Sequence, residues 1–193
     1  MSEVKRTIEL SDPRALRALA HPTRIRLVGL LRMHGPLTAT KAAQLLGESS
    51  GSCSFHLRQL ARYGLVEEVA GGHGRAKPWQ ATARSTSWPS LAATPEAAAA
   101  TQLLNSVIVD RYLELLHDWI EARPTEPPEW QAAEQLGDAI LYLTAEELTQ
   151  LGSEVEALLE RYAERVAEPA SRPAGARAIA YLQLAFPWQE PRR

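Results

Sequence analysis

The chain has 193 residues, enough for one full domain and a smaller second one, with 45% hydrophobic and 23% charged residues. No apolar run approaches the roughly 18 residues of a spanning helix, residues 1–10 lack the apolar core of a signal peptide, and the single cysteine, Cys53, excludes an internal disulfide framework. The expected compartment is therefore the cytoplasm, with no membrane partner. The net charge of −2 hides a split: residues 1–84 hold 13 Lys and Arg against 6 Asp and Glu, and residues 85–193 hold 8 against 17. The halves carry +7 and −9, and such an asymmetry points the first half toward a polyanion.

In chain order, Ser11-Asp12-Pro13 reads as a helix start that turns Leu16 and Leu19 inward and stops near His21-Pro22. A second helix is expected over 23–33, ended by His34-Gly35-Pro36. Thr38 caps a short third helix that Gly47 closes, and Ser49 caps a fourth over about 50–63 with Leu57 and Leu60 inward. Residues 65–69 read as a strand, 71–74 as a glycine-dense turn, and 77–82 as a returning strand whose Pro78 confines it to an edge or a strand end. Short helix, tight turn, polar-faced helix and hairpin is the order of a winged helix-turn-helix.

Residues 83–95 are rich in Ser, Thr and Pro and read as a linker. A long helix follows over about 96–122, then a short helix at 129–136 and a strand at 139–143. Thr144 to Glu147 matches a capping box and opens a helix to about 167, and 177–186 reads as a further strand. The expected fold is mainly α with a small β component. Its domains are a winged helix-turn-helix at 1–84, a linker at 85–95, a dimerisation helix at 96–125 and a small α+β region at 126–193 serving dimerisation or effector sensing.

Residues Leu19-Ala20-His21-Pro22-Thr23-Arg24-Ile25-Arg26-Leu27 resemble the opening helix pair of the ArsR/SmtB-type winged-helix regulators. Ser54-Phe55-His56-Leu57-Arg58-Gln59-Leu60 with Gly64-Leu65-Val66 resembles that family's recognition helix and first wing strand. The resemblance covers residues 12–83 and implies a repressor, released by a signal, that binds double-stranded DNA.

A recognition helix in the major groove needs small polar residues early and longer donors further along. Ser49, Ser50, Ser52 and Ser54 supply the first, beside a helix N-terminus that favours phosphate. Phe55, His56, Arg58, Gln59 and Arg62 supply the second. Two readings are open for His56, a donor to DNA or a partly buried histidine. Lys41 on the preceding helix is a candidate backbone contact, which positions the protein without reading sequence. His73, Arg75 and Lys77 in the wing are suited to the minor groove or flanking phosphates, or else form a solvated loop.

Metal sensors of the resembled family use cysteine pairs or histidine–carboxylate sets. This chain has Thr38-Ala39-Thr40 on the third helix where thiolate sensors carry cysteines, and Cys53 stands alone, so no metal or cofactor is expected. Leu104, Ile108, Tyr112, Leu115 and Trp119 follow helical spacing and are the expected homodimer contacts, since such proteins usually read two half-sites through a two-fold dimer; the alternative for this face is packing within the same chain. The aromatics Trp130, Tyr142, Tyr162, Tyr181, Phe186 and Trp188 are either core residues or the lining of a pocket for an unknown small-molecule effector. No glycine-rich phosphate loop, nucleophile elbow or zinc signature supports an enzyme. A protein-interaction module on the same fold is the alternative.

Overall fold

The computed structural model describes residues 4–70 and 77–189, and the chain divides into two units, residues 1–116 and 117–193. In the first unit each helix begins where a side chain takes up amides that the helix cannot satisfy. Asp12 accepts from the Arg14 amide at 2.8 Å and opens α1 (Pro13–Leu19). His21 Nδ1 accepts from the Thr23 amide at 3.2 Å and opens α2 (Pro22–His34). Thr38 caps α3 (Ala39–Leu46), Ser49 caps α4 (Ser50–Ala61), and Thr94 accepts from the Ala97 amide at the start of α5 (Pro95–Ala122).

The strands are β1 (Lys5–Glu9), β2 (Val66–Glu68), β3 (Trp79–Ala81) and β4 (Ala83–Ser87). β2 pairs antiparallel with β3 in the register Val66↔Ala81, Glu67↔Gln80 and Glu68↔Trp79. Leu37 bridges to Trp79, which joins the hairpin to the turn before α3. β1 and β4 pair in parallel, Lys5 opposite Ala83 and Glu9 opposite Ser87. This pairing fills the start of the expected linker, and the sequence reading passed over β1 altogether. The buried Leu16, Leu27, Leu57, Leu60, Leu65 and Leu104 centre one core shared by α1, α2, α4 and α5, with Trp79 and Val66 from the hairpin. At roughly 1.5–3 kcal/mol for each such side chain removed from water, this core is what holds the helices in register.

The second unit contains the end of α5, a 3-10 turn (Arg123–Thr125), α6 (Pro128–Ala133), α7 (Ala145–Glu160), α8 (Glu164–Ala167) and a 3-10 turn (Pro169–Ser171). The capping box read from the sequence is present: the Thr144 hydroxyl accepts from the Glu147 amide at 3.1 Å, and the Glu147 carboxylate accepts from the Thr144 amide at 2.7 Å. The single helix expected from there to 167 breaks after Glu160. There the amides of Arg161, Tyr162 and Ala163 bond to carbonyls three residues back, which tightens the last turn and ends the helix. Residues 139–143 and 177–186, expected as strands, form none. Neither segment has a partner strand, so an extended backbone there has no ladder to join. Among the described side chains of 117–189 none is buried.

Candidate nucleic-acid interface

The turn between α3 and α4 is fixed at both ends. Gly47 sits in the left-handed region at φ 68°, where a side chain is strained, and its amide returns to Ala43. The Glu48 amide also bonds to Ala43, at 3.0 Å. Arg26 of α2 reaches across to donate to the Leu46 carbonyl at 3.3 Å, and Thr23 donates to the Glu48 carboxylate at 3.5 Å. The Ser49 oxygen then accepts from the Ser52 amide at 3.1 Å and starts α4.

One face of α4 is used up by the core: Cys53, Leu57 and Leu60 are fully buried, at spacings of four and three residues. Burial raises the pKa of the Cys53 thiol, so this cysteine is a small packing residue. The opposite face is open. Ser50, Ser54, Arg58 and Arg62 follow one another at steps of four, with Ser50, Arg58 and Arg62 exposed and Ser54 half-buried. Phe55 is 51% exposed beside them, and Ser52 and Gln59 are half-buried on the flanks. Ser49 is exposed at the cap, and Lys41 is exposed near the start of α3.

His56 is different. Its ring lies 4.5 Å from that of His21, with Phe55 edge-on at 5.3 Å, and its Nδ1 is buried without a hydrogen-bond partner among the described residues. Of the two readings left open by the sequence, the geometry supports the partly buried histidine. Burial, then His21 and Arg24, lower the His56 pKa, while Glu48 pulls the other way. His21 is lowered by burial and by Arg24. The Arg24 Nε is likewise buried without a partner among the described residues, and burial lowers that guanidinium too. Both rings are therefore biased toward the neutral form.

In the wing, His73 and Arg75 lie outside the described residues. Lys77 is exposed and 3.6 Å from Glu68, an open surface pair worth at most about 1 kcal/mol. Arg32 on α2 is not among the expected functional residues. It donates from Nε to the Ala83 carbonyl at 3.0 Å and from Nη2 to Thr86 at 2.6 Å, and burial brings its pKa down to about 10. This side chain ties α2 to β4, and only the partner strand would have revealed it. The β1–β4 pairing also sets Lys5 near the exposed Arg84, outside the predicted contacts.

Of the expected dimer contacts, Leu104 is fully buried in the core of its own unit and Ile108 packs against that core. The spacing identified an apolar face correctly but not its partner, because the core of the same chain reaches it first. Tyr112 and Leu115 are half-buried, and the Trp119 indole donates to Glu134 at 2.7 Å. Val109 and Leu113, one turn apart, are exposed apolar residues of α5 at 40% and 47%, as are Leu103 and Ile120 nearer its two ends. The aromatics expected either in a core or around an effector lie largely open among the described residues. Tyr142, Tyr162, Tyr181, Phe186 and Trp188 are each more than half exposed, and Trp130 is half-buried beneath the Arg177 guanidinium at 5.0 Å.

Residues 19–69 match the family model described as a helix-turn-helix domain. No curated protein matches the chain. Among solved structures, a protein described as a possible transcriptional regulator for arsenical resistance is 30% identical over 54% of this chain and 94% of its own, at a TM-score of 0.32. A homodimeric winged helix-turn-helix DNA-binding domain from Mycobacterium bovis, described as a possible ArsR-family transcriptional regulator, is 23% identical over 52% of this chain and 79% of its own, at 0.33. The apo form of wild-type MarR from E. coli is 15% identical over 77% and 88%, at 0.33. TM-scores of this size carry no weight for the chain as a whole. What the chain itself shows is the matched helix-turn-helix domain and the order of helices and hairpin. Residues 19–69 are a helix-turn-helix domain, set within the helix and hairpin order of a winged helix-turn-helix.

Proposed function

We propose that the protein is a dimeric transcriptional repressor that reads a palindromic operator, with α4 in the major groove and the wing on flanking DNA. One observation carries the reading: α4 gives one face to the core and leaves the other open, and the open face runs from a capped N-terminus through Ser50 and Ser54 to Arg58 and Arg62. A helix N-terminus draws phosphate, and an arginine further along has the reach to a guanine edge. The excess of positive charge in residues 1–84 supplies the attraction to the backbone. Dimerisation is supported by the two-fold habit of such readers and by the homodimeric M. bovis domain, with Val109 and Leu113 as contacts in place of Leu104. Repression follows from the family resemblance. Lys41, His73, Arg75 and Lys77 are proposed backbone contacts.

The test is fluorescence anisotropy on an operator duplex selected from random DNA. Arg58→Ala is expected to weaken binding by roughly tenfold or more, the cost of about 1–3 kcal/mol for a lost base contact. Lys41→Ala is expected to weaken all sequences alike and to lower the salt slope by about one. Native affinity in both variants, with melting temperatures unchanged, would overturn the reading and favour an interaction module on the same fold.

A further inference from the structure

The two longest stretches of the second unit without a charged residue are 139–145 and 178–189. Each is a nearly continuous apolar run, which is the pattern of a strand covered on both faces rather than one. Yet each lies open. Tyr142 is 99% exposed, Phe186 75%, Trp188 71%, Ile179 68% and Ile140 66%. Among the described residues, neither 139–143 nor 178–186 makes a backbone–backbone hydrogen bond. The combination of bare apolar side chains and unused N–H and C=O groups is an open strand edge, which pairs with another strand when one is offered.

The total of apolar side-chain area left open in these separate segments bears on what covers them. With Leu158, Leu159 and Tyr162 at the end of α7 and just beyond it, also exposed, the apolar area is on the order of 1,500 Å² per chain, against about 800 Å² per partner in a standard interface and a few hundred on a typical monomer. A charged partner would bury its charges against side chains that offer none in return. A second copy brings the same two uncharged stretches, and exchange of identical elements between copies is a low-cost route to a dimer.

We propose that two copies of the chain build one shared core from these segments, residues 139–143 of one copy pairing as strands with residues 178–186 of the other, and α7 of each copy covering them. This goes beyond the dimer through α5, which would form without these segments.

The test is hydrogen exchange of the full chain, read by mass spectrometry at protein concentrations above and below the dimer midpoint found by sedimentation. The amides of 139–143 and 178–186 are expected to slow by at least about a hundredfold in the dimer and to lose that protection on dilution. Amides of α2 and α4 are expected to keep theirs throughout. Unprotected exchange in a sedimenting dimer would overturn the proposal, as would equal protection in the monomer or a chain that stays monomeric at hundreds of micromolar. A double variant, Tyr181→Lys with Leu184→Lys, is expected to remove the protection in both segments. Retained protection in that variant would also count against it. DNA affinity does not enter any of these readouts, so the operator-reading proposal stands or falls separately.

Discussion

The two units use the same local rules and reach opposite ends. In residues 1–116 every capped helix lays an apolar stripe on a shared core, so that Leu57 and Leu60 are fully buried. In residues 117–193 α7 has the fullest start signal in the chain, a two-way capping box, and still leaves Leu158 and Leu159 exposed. A cap fixes where a helix begins. It supplies no surface to bury against, and most helical stability in proteins comes from that burial.

The largest expected effect tests this contrast directly. Leu57→Ala removes a fully buried side chain and is expected to cost about 2–5 kcal/mol in chemical denaturation followed by far-ultraviolet circular dichroism. Leu158→Ala, in protein dilute enough to be monomeric, is expected to stay within about 0.5 kcal/mol. Equal costs would mean that the second unit is packed as tightly as the first.

A smaller effect is expected at the caps. Ser49→Ala deletes the acceptor for the Ser52 amide and is expected to cost about 1 kcal/mol in unfolding of the first unit. Thr144→Ala deletes the matching acceptor on α7 but is expected to leave that unfolding transition unmoved, its effect confined to helicity near residue 147. A shift of the first unit's transition by Thr144→Ala would show that the two units unfold together.

The smallest effect is the pH dependence from His21 and His56. Both are held below the ordinary imidazole pKa, so the folded state binds fewer protons than the unfolded one as pH falls. Their contribution is fully present above the unfolded value of about 6.5 and is lost as pH drops through the lowered folded values. Melting temperature is expected to fall between about pH 7 and pH 5, and His56→Gln is expected to flatten that fall. An unchanged slope in the variant would remove His56 from the account.

Much of the first unit was legible in the sequence because its signals are local. Thr38, Gly47 and Ser49 mark the ends of α3 and α4, and the period of Cys53, Leu57 and Leu60 fixes which face of α4 is left outside. What escaped depended on distant partners. β1 is defined by β4, some eighty residues on, and Arg32 by the Ala83 carbonyl. Leu104 takes the intrachain alternative rather than the dimer contact, because periodicity identifies an apolar face without saying what covers it. The same ambiguity produced the strands expected at 139–143 and 177–186: the apolar pattern is real, and the ladder it implies is missing from the single chain.

Sequence-specific DNA binding through the open face of α4 is the proposal on which the operator reading depends. The most direct measurement is anisotropy of the full chain on two labelled duplexes, one from upstream of its own gene and one scrambled, each at two salt concentrations. Binding to the upstream duplex is expected to be tighter by roughly a thousandfold or more and to fall steeply as salt rises. No binding to either duplex at low salt would contradict it.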